Sequence, residues 1–353
     1  MVTPLALEGL ATLKRVADRT TSDGLAERLA RLRRFLVEPL EALEQQIEQL
    51  TQSEGSTART QTIDAAEHLL SLKGKRLRAI SAMLAAEISG EPSATALPVA
   101  VAVELIHAAT LLHDDVIDEG DQRRGQATAH TVYGNCVSIL AGDQLLVEAL
   151  QRIQSTGHPE LMQGLLTTLA RIVNAEARQL DARGTLSADP QQYLDIVDGK
   201  TATLFQWAFA AGAQLSGADL SLVELLQKIG RDLGIAFQII DDVLDFNADP
   251  TMAGKDTLND LSEGKMTWPV IEAARLDSAI VADLELALSS DQNQVELLEQ
   301  IAARIIALGA VDRAREFATE YAESALKSVE QLVPSVAVEQ LRGLIWAAIG
   351  RIR

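Results

Sequence analysis

Two short acidic segments interrupt apolar helical patterns, and few folds accommodate both. LLHDDVIDEGDQRRG, residues 111–125, carries Asp114, Asp115 and Asp118, and IIDDVLDF, residues 239–246, carries Asp241, Asp242 and Asp245. Residues four apart on a helix stack on one face, about 6 Å apart along the axis, so Asp114 and Asp118 point the same way. Like charges at that spacing are mildly destabilising. One such motif alone reads equally well as a solvated acidic helix end. The second copy, 127 residues on from position 114 to 241, excludes a single local charge run. Ile and Leu flank both motifs, so the acids interrupt buried helices, where unpaired carboxylates are costly. Divalent cations relieve that cost. Hard carboxylate oxygens suit Mg²⁺, which keeps its waters and bridges a few acids to substrate phosphates. No Cys/His cluster points to zinc.

Helical periodicity dominates the remainder. Leu29, Leu32, Phe35, Leu36, Leu40, Leu43, Ile47 and Leu50 recur at three- and four-residue steps. The run from Pro98 to Asp118 is apolar nearly all round, hence a buried helix. Further helices are expected over about 132–153, 160–182, 190–215, 219–247, 266–287, 292–308, 311–332 and 335–350, with loops at 53–60, 91–94, 120–127 and 247–265. Strand alternation bounded by turn pairs is hard to find. The expected class is all-α, with a helical extension of unknown role over 1–35 and a single domain over 36–353.

With 353 residues, 47% of them apolar, the chain can bury a sizeable core. Its net charge of −19 opposes nucleic-acid binding. An anionic substrate would need local cations or metal to hold it. Cys136 stands alone, which excludes an intrachain disulfide and fits a reducing cytoplasm. The N-terminus does not read as a signal peptide. No stretch approaches the roughly 20 apolar residues of a membrane span, which leaves peripheral membrane contact open. Cations do occur: Lys75, Arg76 and Arg78 in LKGKRLRA, Arg123 and Arg124 after the first motif, Lys200 in DGKTATLF, and Lys255 and Lys265 after the second. Singly, each is more readily a solvated charge. Together with the acids, in an apolar helical chain, they call for a diphosphate with a greasy tail.

These residues carry a resemblance. From about residue 37 to its end the chain resembles the trans-isoprenyl diphosphate synthases, or polyprenyl synthetases. The matching pieces are GKRLR at 74–78, ELIHAATLLHDDVIDEGDQRRG at 104–125, TAH at 128–130, GD at 142–143, GKTATLF at 199–205, GIAFQIIDDVLD at 234–245 and GK…DL.EGK.T.P between 254 and 269. The resemblance implies a helical bundle around a central apolar cavity, the type I isoprenoid synthase fold, and a homodimer. It implies condensation of isopentenyl diphosphate with an allylic diphosphate by ionisation, condensation and elimination. Asp114, Asp118 and Asp241 would be ligands of three Mg²⁺, with Asp115, Asp242 and Asp245 supporting that shell. Arg123, Lys200 and Lys265 would contact the allylic diphosphate and Lys255 would close over it. Lys75, Arg78, His107 and Arg124 would form the isopentenyl diphosphate pocket. Thr201, Phe237 and Gln238, with the backbone at Lys200, would face the developing carbocation.

In this family the tail grows beside the helix of the first motif. Short-chain members place an aromatic plug four or five residues before the first aspartate. Here Thr110 and Ala109 stand there, with Ile106 a turn further, which predicts a product beyond C20, suited to a quinone side chain. Small residues that merely permit close helix packing are the alternative. Lys73 and Ala79 depart from the usual Gly and Pro, and GRIR resembles the family's basic end only loosely. Geranylgeranyl or farnesyl diphosphate synthase, class I terpene cyclase and a subunit of a heteromeric synthase remain as rivals. DDVLD and GKRLR oppose the cyclase, and retention of both acidic motifs opposes an inert subunit.

Overall fold

The computed structural model describes residues 27, 30–32, 34–51, 60–72, 74–246, 258–290 and 293–350. Lys73, Lys255, the C-terminal Arg351 and Arg353, and most of the extension expected over 1–35 lie outside the described residues. Helix α1 (Val37–Thr51) buries Leu40, Leu43 and Ile47, the stripe its spacing predicts. Then come α2 (Gln61–Leu70), α3 (Leu77–Ile88) and, after a 3₁₀ turn at Ser93–Ala96, α4 (Leu97–Ile117), which ends in the first acidic motif. A two-stranded ribbon, β1 (Gln122–Arg123) and β2 (Gln126–Ala127), precedes α5 (Ala129–Tyr133), α6 (Asn135–Ser155) and α7 (Pro159–Ala182). Helix α8 (Pro190–Val197) runs through a π-helical turn at Asp198–Ala202 into α9 (Thr203–Leu215). Helix α10 (Leu220–Asp245) carries the second motif. The chain closes with α11 (Asn259–Ser262), α12 (Trp268–Leu276), α13 (Ala279–Leu288), α14 (Gln294–Ala307), α15 (Ala310–Val329) and α16 (Val336–Ile349).

The all-α expectation is met, and α9 is its centre. Every residue from Thr203 to Ala213 is buried, and α3, α4, α7 and α10 all pack on it. The two acidic helices therefore share a neighbour. Helix α4 lies chiefly on α6, and α10 on α15. Glycine permits the closest approaches. A Cβ at Gly142 of α6 would fall 2.4 Å from the His113 ring of α4, and one at Gly234 of α10 would fall 2.5 Å from Ala202 Cα.

Four local features depart from the expectations. Helices α2 and α3 lie in a stretch, 61–88, for which the periodicity assigns no helix. Residues 120–127 are not plain loop: Arg124 (φ 53°) and Gly125 (φ 76°) form a left-handed two-residue turn that closes the ribbon. The helix expected over 266–287 breaks at Asp277, whose carboxylate accepts the Ala279 N–H at 3.1 Å and an Arg304 guanidinium, a local bond that competes with helix propagation. Finally, Ser93–Ile117 is long and apolar enough by composition to cross a bilayer, contrary to the sequence count, but 67% of its apolar 18-residue stretch is buried inside the bundle. Its apolarity is that of a core helix.

Candidate active site

The first motif occupies the last turn of α4, where side chains meet α7 and the π turn. Lys200 lies with its Nζ 3.6 Å from Asp114 Oδ2 and 2.5 Å from Glu176 Oε2, and it donates to Gln179 Oε1 at 3.0 Å. The π turn adds one residue to the helical path, and it holds both Lys200 and Thr201. Asp115 is buried, and Arg123 from the ribbon grips its Oδ1 through Nε at 2.8 Å and Nη2 at 2.7 Å. Asp118 caps α4 and is flanked by Arg183 on one oxygen and Lys265 Nζ, 3.1 Å away, on the other. Arg183 also donates to Ile117 O at 3.3 Å.

The second motif points back at the same surroundings. Asp242 is buried and accepts from Tyr193 Oη at 2.5 Å, Gln238 Nε2 at 2.9 Å and the Trp268 N–H at 3.4 Å. Asp245 receives the backbone N–H groups of Leu258, Asn259 and Asp260. Asp241 sits one residue before Asp242 and is partly buried.

Two bridges join the acidic helices. In one, Lys265 spans Asp118 and, at 3.9 Å, Asp260, whose N–H caps Asp245. In the other, Asp114 faces Lys200, whose neighbour Thr201 donates to Gln238 Oε1 at 2.8 Å, and Gln238 holds Asp242. A cavity of about 180 Å³ lies along these bridges, lined among others by Arg183, Tyr193, Lys200, Gln238, Asp242 and Lys265.

The electrostatics follow from burial. Burial pushes the Asp114 carboxyl up to about 6 against the pull of Lys200. Asp245 rises to about 6 through burial and then Asp260, and Asp242 is pushed up for the same two reasons. Asp118 behaves oppositely. Burial opposes its charge, yet Lys265, Lys200 and Arg183 together hold it below the ordinary range. Lys265 is desolvated too, but Asp260 and Asp118 raise it. Among the described residues no three carboxylate, imidazole or thiolate groups already enclose one point. Asp115 Oδ2 and Asp245 Oδ2 are nonetheless buried without a protein partner. Acidic oxygens that are desolvated and held apart by lysines fit a hard cation that takes one or two carboxylates and completes its shell with water and phosphate.

The other expected cations gather at the start of α3. Arg76 adopts φ 51° and turns inward, with Nε 3.0 Å and Nη2 3.2 Å from the Glu44 carboxylate and Nη1 3.1 Å from Glu104 Oε2. That buried fork separates Arg76 from its neighbours Lys75 and Arg78. The Arg78 guanidinium lies 4.7 Å above the Phe205 ring, which tilts against Phe237 at 5.7 Å. Arg124 donates to Leu72 O at 3.2 Å. His107 is desolvated and surrounded by Arg78, Arg124, Arg123 and Arg76, which lower its pKa well below the usual imidazole value, so it is neutral. Ile106 and Ala109 are buried, and Thr110 Oγ1 is satisfied by His107 O at 2.9 Å.

Four further residues join the site without a motif to mark them: Glu176, Gln179, Arg183 and Tyr193. Glu176 and Gln179 lie three residues apart on α7 and Arg183 follows its last residue, so a polar stripe facing inward was the available signal. Tyr193 offered none. His113 and His130 are satisfied by Ile139 O at 3.1 Å and Gly120 O at 2.8 Å, as second-rank hydrogen-bonding residues would be. Trp268 packs, stacked on Phe317 at 4.1 Å.

Residues 59–305 match the family model for Polyprenyl synthetase. The chain is 35% identical over 286 residues to the octaprenyl diphosphate synthase of Escherichia coli strain K12, covering 81% of this chain and 88% of that one. A crystal structure of a decaprenyl diphosphate synthase from Rhodobacter capsulatus matches with a TM-score of 0.84 at 35% identity, covering 92% and 99% of the two chains. A polyprenyl synthase from Caulobacter crescentus CB15, complexed with calcium and isoprenyl diphosphate, matches with a TM-score of 0.84 at 33% identity over 91% and 97%. This chain is therefore a member of the polyprenyl synthetase, or trans-isoprenyl diphosphate synthase, family, a transferase that condenses isopentenyl diphosphate with an allylic diphosphate.

Proposed function

We propose that the enzyme makes an all-trans polyprenyl diphosphate longer than C20, a quinone side-chain precursor, in a site organised by three Mg²⁺. The observation that carries the active-site reading is the pair of bridges, through Lys265 and through Lys200, that join the two acidic helices. When bound, Mg²⁺ would offset diphosphate charge and make it a leaving group. Asp114, Asp118 and Asp241 are the proposed ligands, and Asp115, Asp242 and Asp245 hold the surrounding shell. Lys200, Lys265 and Arg123 exchange carboxylate partners for the allylic diphosphate, and Lys255 closes over it. Lys75, Arg78, His107 and Arg124 receive isopentenyl diphosphate, with neutral His107 donating a hydrogen bond rather than charge. The Gln238 carbonyl, Thr201 and the Phe237 ring face the cation in a dry cavity.

Small Ala109 and Thr110, one turn before Asp114, leave the first-motif helix without a plug, which supports the long product. A homodimer is supported by exposed apolar side chains on α6 and α7, including Leu140 at 56% and Val173 at 67% exposure. We place the enzyme in the cytoplasm, touching a membrane peripherally to release product. The test is incubation with Mg²⁺, farnesyl diphosphate and labelled isopentenyl diphosphate, followed by chromatographic sizing. Products beyond C20 support the proposal. Products at C20 or below mark a geranylgeranyl or farnesyl diphosphate synthase. A cyclic hydrocarbon marks a cyclase, and inertness of the purified chain marks a heteromeric subunit.

A further inference from the structure

Four side chains form an unbroken hydrogen-bonded series across three elements. Tyr193 of α8 donates its hydroxyl to Asp242 Oδ2 at 2.5 Å. Asp242 Oδ1 accepts from Gln238 Nε2 at 2.9 Å. Gln238 Oε1 accepts from Thr201 Oγ1 at 2.8 Å. Tyr193, Asp242 and Thr201 are 8%, 3% and 7% exposed, so the series is largely shielded from bulk solvent. The Tyr193 ring is itself held, tilted against Trp268 at 5.4 Å, and Trp268 is stacked on Phe317.

The series has a direction. An amide side chain presents a carbonyl oxygen at one end and two N–H donors at the other, and only its partners decide which end faces where. Thr201 Oγ1 could satisfy either end, because a hydroxyl both donates and accepts. The choice therefore falls to Asp242. As a carboxylate, Asp242 only accepts: its Oδ2 takes the Tyr193 hydroxyl and the Trp268 N–H, which leaves Oδ1 to accept from the Gln238 nitrogen. That forces the Gln238 carbonyl toward Thr201. A flipped amide would instead present partial positive charge beside Thr201.

We propose that Tyr193 is a positioning residue for the condensation: through Asp242 it fixes the Gln238 amide with its carbonyl dipole aimed at the developing allylic cation. The assignment rests on the proposed placement of Gln238 and Thr201 at the cation. Fixed dipoles of this kind act where charge develops, so their loss lowers kcat rather than substrate binding.

The test is Tyr193→Phe, which removes one oxygen and keeps the ring. With farnesyl and isopentenyl diphosphates, kcat is expected to fall about tenfold, in the range for a buried hydrogen bond to a charged group. KM for each substrate stays within about twofold. The share of allylic substrate captured by water as the free alcohol rises. In a Gln238→Ala background the same change costs less than about twofold in kcat, because the group it positions is gone. Should Tyr193→Phe fail to fold, Tyr193→Met removes the same hydroxyl while filling much of the same space, and it carries the same cycle without touching the proposed metal shell. An unchanged kcat, a loss confined to KM, or an equal loss in the Gln238→Ala background would overturn the proposal while leaving the synthase reading intact. A wild-type enzyme that elongates nothing would overturn both.

Discussion

Removing the charge of Asp114 should stabilise the protein that it disables. In the absence of divalent ions the carboxyl is buried, 19% exposed, and burial raises its pKa from 3.8 to about 6. At roughly 1.4 kcal/mol per pH unit, that rise means the ionised group destabilises the fold by about 3 kcal/mol. The sign follows from the direction. The unfolded carboxyl ionises more readily, so the penalty is fully present above the folded value near 6, fades as pH falls, and is gone below 3.8. Asp114→Asn keeps the shape and removes the charge. Its cost is one 3.6 Å contact with Lys200, which retains Glu176 and Gln179. Urea unfolding of chelator-treated wild type and Asp114→Asn should therefore differ by about 1–3 kcal/mol in favour of the variant at about pH 7.5, and by almost nothing at about pH 3.5. Elongation activity of the variant should fall by orders of magnitude. A variant equally or less stable at about pH 7.5, or a gain independent of pH, would refute the claim that the site stores the cost of a desolvated charge.

Further expectations are narrower. Arg76→Leu leaves Glu44 and Glu104 buried without their fork and should cost about 3–5 kcal/mol in unfolding free energy. Gly234→Ala drives a Cβ to 2.5 Å from Ala202 Cα; it should lower stability by about 1–3 kcal/mol and slow turnover by displacing Thr201, read by melting and by kcat. Ala109→Phe should shorten the product distribution on chromatography, and an unchanged distribution would remove the first-motif helix wall as the ruler.

The fold was legible where one physical pattern acted alone. Long helices such as α6, α7, α10 and α15 were readable because a 3.6-residue apolar stripe faces one core. The break at Asp277 was not, because a side-chain bond to Ala279 N–H and a distant Arg304 decide it. The ribbon at 122–127 escaped because two-residue strands carry no alternation, and the left-handed conformation at Arg124 is unusual for a side chain of that size. Within the site, the acids and the cations stood out as costs that a buried helix must offset. Glu176 and Arg183 did not, because on a helix with a polar face they look like any solvated charge until Lys200 and Asp118 are brought opposite them. Tyr193 was invisible for the converse reason: its chemistry lies in one hydroxyl aimed at Asp242.

The central claim is that both acidic helices serve one diphosphate. Calorimetric titration of an allylic diphosphate analogue, with its ester oxygen replaced by sulfur so that it does not ionise, measures this directly. In Mg²⁺, Asp114→Ala and Asp241→Ala should each abolish the metal-dependent part of binding, and the double variant should be no weaker than either alone. Metal-dependent affinity that survives in either single variant, or losses that simply add, would contradict it.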